Sequence, residues 1–300
     1  MIFNKRQNVH DVVIFGAGKQ AYWHARLALL LRGSDIHHLN VVNRSFDNGV
    51  SLLRSLFKPE WPVRITRPKT EIITPSHGEY DRLLKSLIRG ASVIFFTTPS
   101  KTPLFPAEIL TNTEGRKKGR YLAAIGSFKP HMCEIHPDII RQAVAPSHHR
   151  HHHKHAQQGG AIVVDSVEAC LKEAGELIQA GIGGREVVEL GELIMLKKEA
   201  AKRTQERHDS TTSSESDGVQ IGRKFRRQKQ QDDGDNDGGL KEWLHRGNVI
   251  YKSVGLALMV RFLSLSYNES AANQFQDCVV GNELVRIADK RGIGTLIPNF

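Results

Sequence analysis

Gly16-Ala17-Gly18-Lys19-Gln20-Ala21 is the stretch whose residue types and spacing most directly imply chemistry. It joins the apolar run Val12-Val13-Ile14-Phe15 to a helical pattern, the context in which a Gly-x-Gly-x-x-Ala series cradles a pyrophosphate. Gly16 permits the tight turn, Gly18 lets a phosphate approach the backbone, and Ala21 lets the helix pack closely. The N-terminal amides of that helix, around Lys19 and Gln20, then face the anion. The plain alternative is a domain of the same fold that binds no nucleotide. A second triplet selects among dinucleotides. An NAD-binding unit carries Asp or Glu at the end of its second strand, where this chain has Asn43-Arg44-Ser45. Without the carboxylate nothing repels a 2′-phosphate, and Arg44 and Ser45 offer it a guanidinium fork and a hydroxyl. NADP(H) is therefore the expected cofactor, ahead of NAD(H), unless Arg44 merely stacks on the adenine.

These residues need a scaffold of alternating strands and helices. The pattern predicts a strand over Asp11–Phe15 and a helix over Lys19–Arg32 with Ala21, Ala25, Leu27, Ala28 and Leu31 on its apolar face. Gly33-Ser34 ends that helix. Strands follow at Leu39–Val42 and Val63–Thr66, with helices over Asp47–Phe57 and Glu79–Arg89. Further strands are expected at Val93–Thr98, Tyr121–Gly126 and Ile162–Asp165, the last clear one. The alternation predicts an α/β fold with a Rossmann-type, doubly wound parallel sheet.

Three stretches break the rhythm. Residues 145–160 hold six histidines among Pro, Gln and Gly. Lacking carboxylates and fixed spacing, they read as a disordered loop and not as a metal site. Residues 199–248 carry a basic block, Arg223–Lys229, and an acidic one, Asp232–Asp237. Opposite-sign blocks amid Ser, Thr and Gln mark a disordered linker, and the glutamate that closes a calcium loop is missing. The third is Val260–Gln276. The expected organisation is a dinucleotide-binding domain over 1–198, the linker, and a C-terminal helical segment over 249–300.

A net charge of +10 invites a nucleic-acid partner. The basic residues are scattered, however, and no zinc-finger, ribonucleoprotein or helix-turn-helix pattern accompanies them, so none is expected. Cys133, Cys170 and Cys278 are too few and too far apart for disulfides or zinc. No secretory signal or membrane-length apolar run is present, so the chain reads as cytoplasmic, with no metal and no membrane partner.

The order of VVIFGAGKQAYWHA, VVNRS, VIFFTTPSKTPLF, YLAAIGSFKPHMCEI, IVVDSVEACLKEAGEL, VVELGEL and IYKSVGLAL resembles the ornithine cyclodeaminase/mu-crystallin family, its fungal members in particular. The resemblance covers nearly everything outside the three irregular stretches. It implies a two-domain homodimer that binds NAD(P) and acts on amino or imino acids. It also implies that Thr97, Thr98 and Pro99 line the dinucleotide and that Gly126 and Ser127 lie near the nicotinamide. Lys252-Ser253-x-Gly255 would return to the cofactor with Ser253 in contact. Glu173 matches a position that approaches substrate, and Lys129 stands where mu-crystallin-like members carry arginine. The plainer readings are a solvated helix residue for Glu173 and a surface charge for Lys129.

Two departures shape the expected function. Cyclodeaminases of the family carry an acid/base Asp at the position of Phe128, which transfers no proton. Reduction of a cyclic imino acid (ketimine) by NADPH, in proline or ornithine metabolism, is therefore expected ahead of ornithine cyclodeamination with bound NAD. A non-catalytic NADP-dependent small-molecule-binding protein is a third reading. Family members also place about one more domain's length before the Rossmann unit. The chain is accordingly expected to be incomplete and inactive alone. Deleting 260–276 joins Leu258-Met259 to Asp277-Cys278 in one amphipathic helix, so that stretch is read as a retained intron.

Overall fold

The computed structural model describes residues 9–58, 67–145, 160–195 and 247–255. The strands and helices below all belong to one compact unit, Met1–Val254. The apolar run at the start becomes β1 (Asp11–Phe15), and α1 (Lys19–Arg32) follows directly. Then come β2 (His38–Val42), α2 (Phe46–Leu56), β3 (Lys69–Ile73), α3 (Tyr80–Gly90), β4 (Val93–Phe96) and the short α4 (Glu108–Thr111). The second half holds β5 (Tyr121–Ala124), α5 (Pro137–Val144), β6 (Gly160–Val164), α6 (Val167–Glu173), α7 (Gly175–Ala180), β7 (Val188–Glu189) and β8 (Asn248–Lys252).

The eight strands among the described residues are all parallel, in the order β3-β2-β1-β4-β5-β8-β6-β7. The chain moves outward from β1 to β3, then crosses back to start β4 on the other side of β1. The direction of winding thus reverses between β1 and β4, where open α/β sheets bind ligands at the carboxyl ends of their strands. This is the doubly wound Rossmann arrangement that the alternation predicts.

Helices cover both faces of a parallel sheet, so its central strands are apolar on both sides. Every residue of β4 is buried, and so is all of β1 after Asp11. One face packs Val12, Ile14, Leu39, Val41 and Phe95 against Ala21, Ala25, Ala28 and Leu29 of α1 and Leu52 and Leu56 of α2. The alanines bring the helix close, and each buried leucine contributes about 1.5–3 kcal/mol. β3 is an edge strand whose Lys69, Thr70 and Glu71 are exposed, a polar rim that discourages further pairing. At the amino end of β5, the buried Arg120 guanidinium donates to the carbonyls of Ile88 (3.1 Å), Arg89 (2.7 Å) and Gly115 (2.7 Å), satisfying the end of α3.

The structure differs from expectation in several places. The third strand is Lys69–Ile73; the predicted Val63–Thr66 lies outside the described residues. Leu27 and Leu31, expected on the apolar face of α1, are 51% and 53% exposed, and Leu29 is buried instead. Ile162–Asp165 is not the last strand, because β7 and β8 follow. Residues 248–252, divided in the sequence reading between a linker and a helical segment, form a strand in the middle of the sheet. Gly160, assigned to the His-rich loop, opens β6. The rest of that loop (146–159), most of the linker and all of 260–276 lie outside the described residues. Among the described residues no helix is long and apolar enough to cross a membrane.

Candidate functional site

The glycine turn sits at the reversal point. Gly16 has φ +102°, a left-handed conformation that favours glycine, and its N–H donates to the carbonyl of Val42 (2.9 Å). A Cβ there would also lie 2.8 Å from Thr97 Oγ1, which donates to the carbonyl of Phe15 (2.6 Å). Gly18 is the N-cap of α1 and supplies no side-chain cap; nothing lies within 4 Å of where its Cβ would be. The first turn of α1 holds no acidic residue, and Gly18, Lys19 and Gln20 are exposed beside the half-buried Ala17. Uncapped amides, an open approach and no competing carboxylate fit a pyrophosphate.

At the end of β2, the Asn43 amide donates to the carbonyl of Ser45 (2.8 Å), and the Asn43 N–H to that of Ile73 (3.1 Å). Asn43 thereby shapes the turn. Ser45 caps α2 by accepting from Asn48 N–H (3.3 Å), which leaves its own proton free to donate. Arg44 is exposed and makes no hydrogen bond or ion pair among the described residues. The end of β2 thus offers the hydroxyl of Ser45 at the N-terminus of α2 and, next to it in the chain, the exposed Arg44, with Asp47 the acidic residue of that helix's first turn.

The loops after β4 and β5 meet closely. At Gly126 a side chain would overlap the Thr98 backbone and lie 2.6 Å from Glu134 Oε1, so only glycine permits this approach. Thr98 is half-buried and Pro99 exposed. Glu134, fully buried, takes Thr98 N–H (2.6 Å) and Thr98 Oγ1 (2.8 Å) on one oxygen, and the N–H groups of Gly126 (2.8 Å) and Ser127 (3.1 Å) on the other. Burial pushes its carboxyl up to about 7; the Thr98 donors and Lys252 pull against that, and Glu176 adds to it.

Behind Glu134 lies an ion pair, Lys252 Nζ to Glu176 Oε2 at 3.3 Å, with both side chains 1% exposed. Ser127 Oγ donates to Glu176 and accepts from Lys252 (2.6 Å), which also donates to the Ser127 carbonyl. The charges compensate each other in the interior, and the serine supplies hydrogen bonds that such a pair needs. Ser127, placed by resemblance beside the nicotinamide, thus has its hydroxyl committed inward.

Ser253 Oγ donates to Asp165 Oδ2 (2.6 Å), joining the end of β8 to the end of β6. Gly255 has φ +86° and is exposed. The two substrate candidates stand apart from this network. Glu173 closes α6 half-buried, its side chain making no hydrogen bond or ion pair among the described residues. Lys129 is exposed, its Nζ 5.7 Å from the ring centre of Phe128, itself 44% exposed. Sequence reasoning brought out the glycines and the loop residues Thr97, Thr98 and Gly126. It missed Glu134 and Glu176, and it saw Lys252 only as part of a motif. Their one visible signal is a lone charge set in an apolar run, as in Met132-Cys133-Glu134-Ile135. Cys133 and Cys170 are buried, and burial raises both thiols, Cys133 to about 12, which leaves them unreactive.

No family model matches the chain. It is 30% identical over 195 residues to an uncharacterized protein of Saccharomyces cerevisiae, covering 61% of this chain and 48% of the relative. It is 27% identical over 206 residues to the Delta(1)-pyrroline-2-carboxylate reductase of Bacillus cereus, covering 67% and 51%. To the ketimine reductase mu-crystallin of Mus musculus it is 26% identical over 188 residues, covering 62% and 45%. The chain spans about half the length of these curated relatives. Among solved structures, Thermococcus litoralis Delta(1)-pyrroline-2-carboxylate reductase in complex with NADH and L-proline superposes with a TM-score of 0.53 at 15% identity. That match covers 97% of this chain and 62% of the other, a likeness of fold. With the glycine turn and the parallel sheet already in place, the chain is similar in sequence to a Delta(1)-pyrroline-2-carboxylate reductase and to mu-crystallin, which belong to the ornithine cyclodeaminase/mu-crystallin family.

Proposed function

We propose that the chain is the dinucleotide-binding part of an NADP(H)-dependent reductase of cyclic imino acids, acting in amino-acid metabolism as a homodimer. The observation that carries this reading is the glycine turn: Gly16 at φ +102° and an open Gly18 at the point between β1 and β4 where the winding reverses. Gly16, Gly18 and the first amides of α1 would hold the pyrophosphate, with Arg44 and Ser45 on the 2′-phosphate. Thr97, Thr98, Pro99 and Gly126 would wall the far end, and Ser253 would approach from β8. The bound nicotinamide supplies a hydride for the imine carbon. The protein's share is to orient substrate and cofactor and exclude water, with Lys129 and Glu173 the candidates for touching substrate. Cyclodeamination would need an acid/base at position 128, and Phe128 offers none.

Titration of the purified chain with NADPH and NADH, followed by tryptophan fluorescence, tests the cofactor. NADPH should bind more tightly; a preference for NADH of about tenfold, ~1.4 kcal/mol, would remove Arg44 and Ser45 from that role. Consumption of NADPH with Delta(1)-pyrroline-2-carboxylate tests the reaction. As the dinucleotide-binding part of such a reductase, the chain should bind NADPH without turnover, and turnover by it alone would show that the relatives' additional length is dispensable for the reaction.

A further inference from the structure

Glu134 holds two loops at once. Oε1 binds the loop after β4 through the Thr98 N–H and hydroxyl, and Oε2 binds the loop after β5 through the Gly126 and Ser127 N–H groups. Two donors on each oxygen make this a site for a carboxylate anion. The side chain is itself held in place. Its backbone N–H donates to Glu176 Oε1 (3.0 Å) and its carbonyl accepts from Leu104 N–H (2.9 Å). Glu176 is fixed in turn by Ser127 and Lys252, so β8 and α7 both brace the same point. None of Gly16, Gly18, Arg44 or Ser45 hydrogen-bonds to Glu134.

We propose that Glu134 is a positioning residue for one end of the dinucleotide: it staples the β4 loop to the β5 loop and so fixes the wall on which the nicotinamide half lies. This role rests on the dinucleotide reading and divides the labour within it. The glycine turn, Arg44 and Ser45 hold the adenine half and the phosphates, and the stapled loops hold the nicotinamide half. Backbone bonds already tie the loops farther out, Cys133 N–H to the Ser100 carbonyl (2.9 Å) and Leu104 N–H to that of Glu134, and the Glu134 carboxylate orders the first residues of each loop before ligand binds, which lowers the entropic cost of binding. A neutral glutamine holds less well: with its oxygen on the Gly126 and Ser127 N–H groups, its amide nitrogen faces Thr98, whose hydroxyl can accept from it but whose N–H is left without an acceptor.

The test compares wild type with Glu134→Gln, titrating the full chain with NADPH and with 2′,5′-ADP, which carries the adenine half alone. Glu134→Gln should bind NADPH about tenfold more weakly or worse and 2′,5′-ADP within about twofold of wild type. Glu134→Asp, charged but shorter, should recover part of the loss. Parallel loss of both ligands would make Glu134 a general support of the fold and overturn the proposal, as would unchanged NADPH binding. Should Glu134→Gln not fold, Glu134→Asp takes its place, since it keeps the anion and shortens its reach to the two loops. It should weaken NADPH alone, by roughly threefold, and parallel or absent loss refutes the staple here too. Wild type that binds neither ligand refutes the dinucleotide reading and the staple with it. Wild type that binds both, with a variant that loses both equally, refutes the staple alone.

Discussion

Acidification should loosen the dinucleotide through a single carboxyl. Burial holds Glu134 at about 7, well above the 4.5 of an ordinary glutamate. Below that pH a proton occupies one lone pair of an oxygen that two donors share, so at least one of the four donors loses its acceptor. One loop is then held less firmly. With an ionised fraction of about nine-tenths at pH ~8 and one-tenth at pH ~6, the apparent Kd should rise about tenfold across that range. The ligand should be NADH, because the 2′-phosphate of NADPH takes up its own proton near pH ~6. Other charged groups facing Glu134 are Glu176 on α7 and Lys252 on β8, while the neighbouring Cys133 thiol, held up to about 12, stays neutral. Fluorescence titration of wild type and Glu134→Gln at matched ionic strength isolates the effect. A wild type with flat affinity, or a Glu134→Gln variant with the same slope, would refute the reasoning. Folding responds with the opposite sign. A carboxyl raised in the native state gives the folded chain more bound protons than the unfolded one between pH 4.5 and about 7. Its contribution to stability therefore falls as pH rises through that window.

Three further outcomes are expected. Arg44→Asp should reverse the nucleotide preference in favour of NADH by at least about tenfold, since it replaces a phosphate donor by a ribose acceptor; dissociation constants for both nucleotides check this. Gly126→Ala should destabilise the chain by about 1–3 kcal/mol in urea melts, because the new Cβ overlaps the Thr98 backbone and the two loops must part. Lys252→Met should cost about 3–5 kcal/mol by leaving Glu176 charged and unpaired in the interior, and adding Glu176→Gln should recover part of that loss in a double-mutant cycle.

The parts of the fold legible in the sequence are those coded locally. A short apolar strand, a glycine turn and a helix are contiguous in residues 11–32, and their joint pattern placed β1, α1 and the cofactor turn. β3 escapes a reading of the sequence because Lys69-Thr70-Glu71 shows the mixed polarity of an edge strand. β8 was read as helical territory since its five residues follow a long low-complexity stretch, and its partners β5 and β6 lie far back in the chain. The buried face of α1 was misjudged because leucines surround that helix, and only packing decides between Leu29 and its neighbours Leu27 and Leu31. The charged network was illegible for the same reason. Glu134 meets Glu176 across 42 residues and Ser127 meets Lys252 across 125, and nothing in the local sequence of any of them names its partner.

The placement of β8 also dictates an order of assembly. During synthesis the strands β1 to β5 emerge first and can pair among themselves, since every neighbour in that half is already made. β6 and β7 emerge next and pair with each other, yet β6 has no seat beside β5 until residues 248–252 arrive to fill the gap. Until then the nascent chain carries two unpaired edges facing one another, the open side of β5 and the open side of β6. The last of the described strands to leave the ribosome thus acts as a keystone. A nick or a stalled ribosome just ahead of Gly247 would leave two part-sheets in place of one, with a buried glutamate at 176 that has never met its lysine.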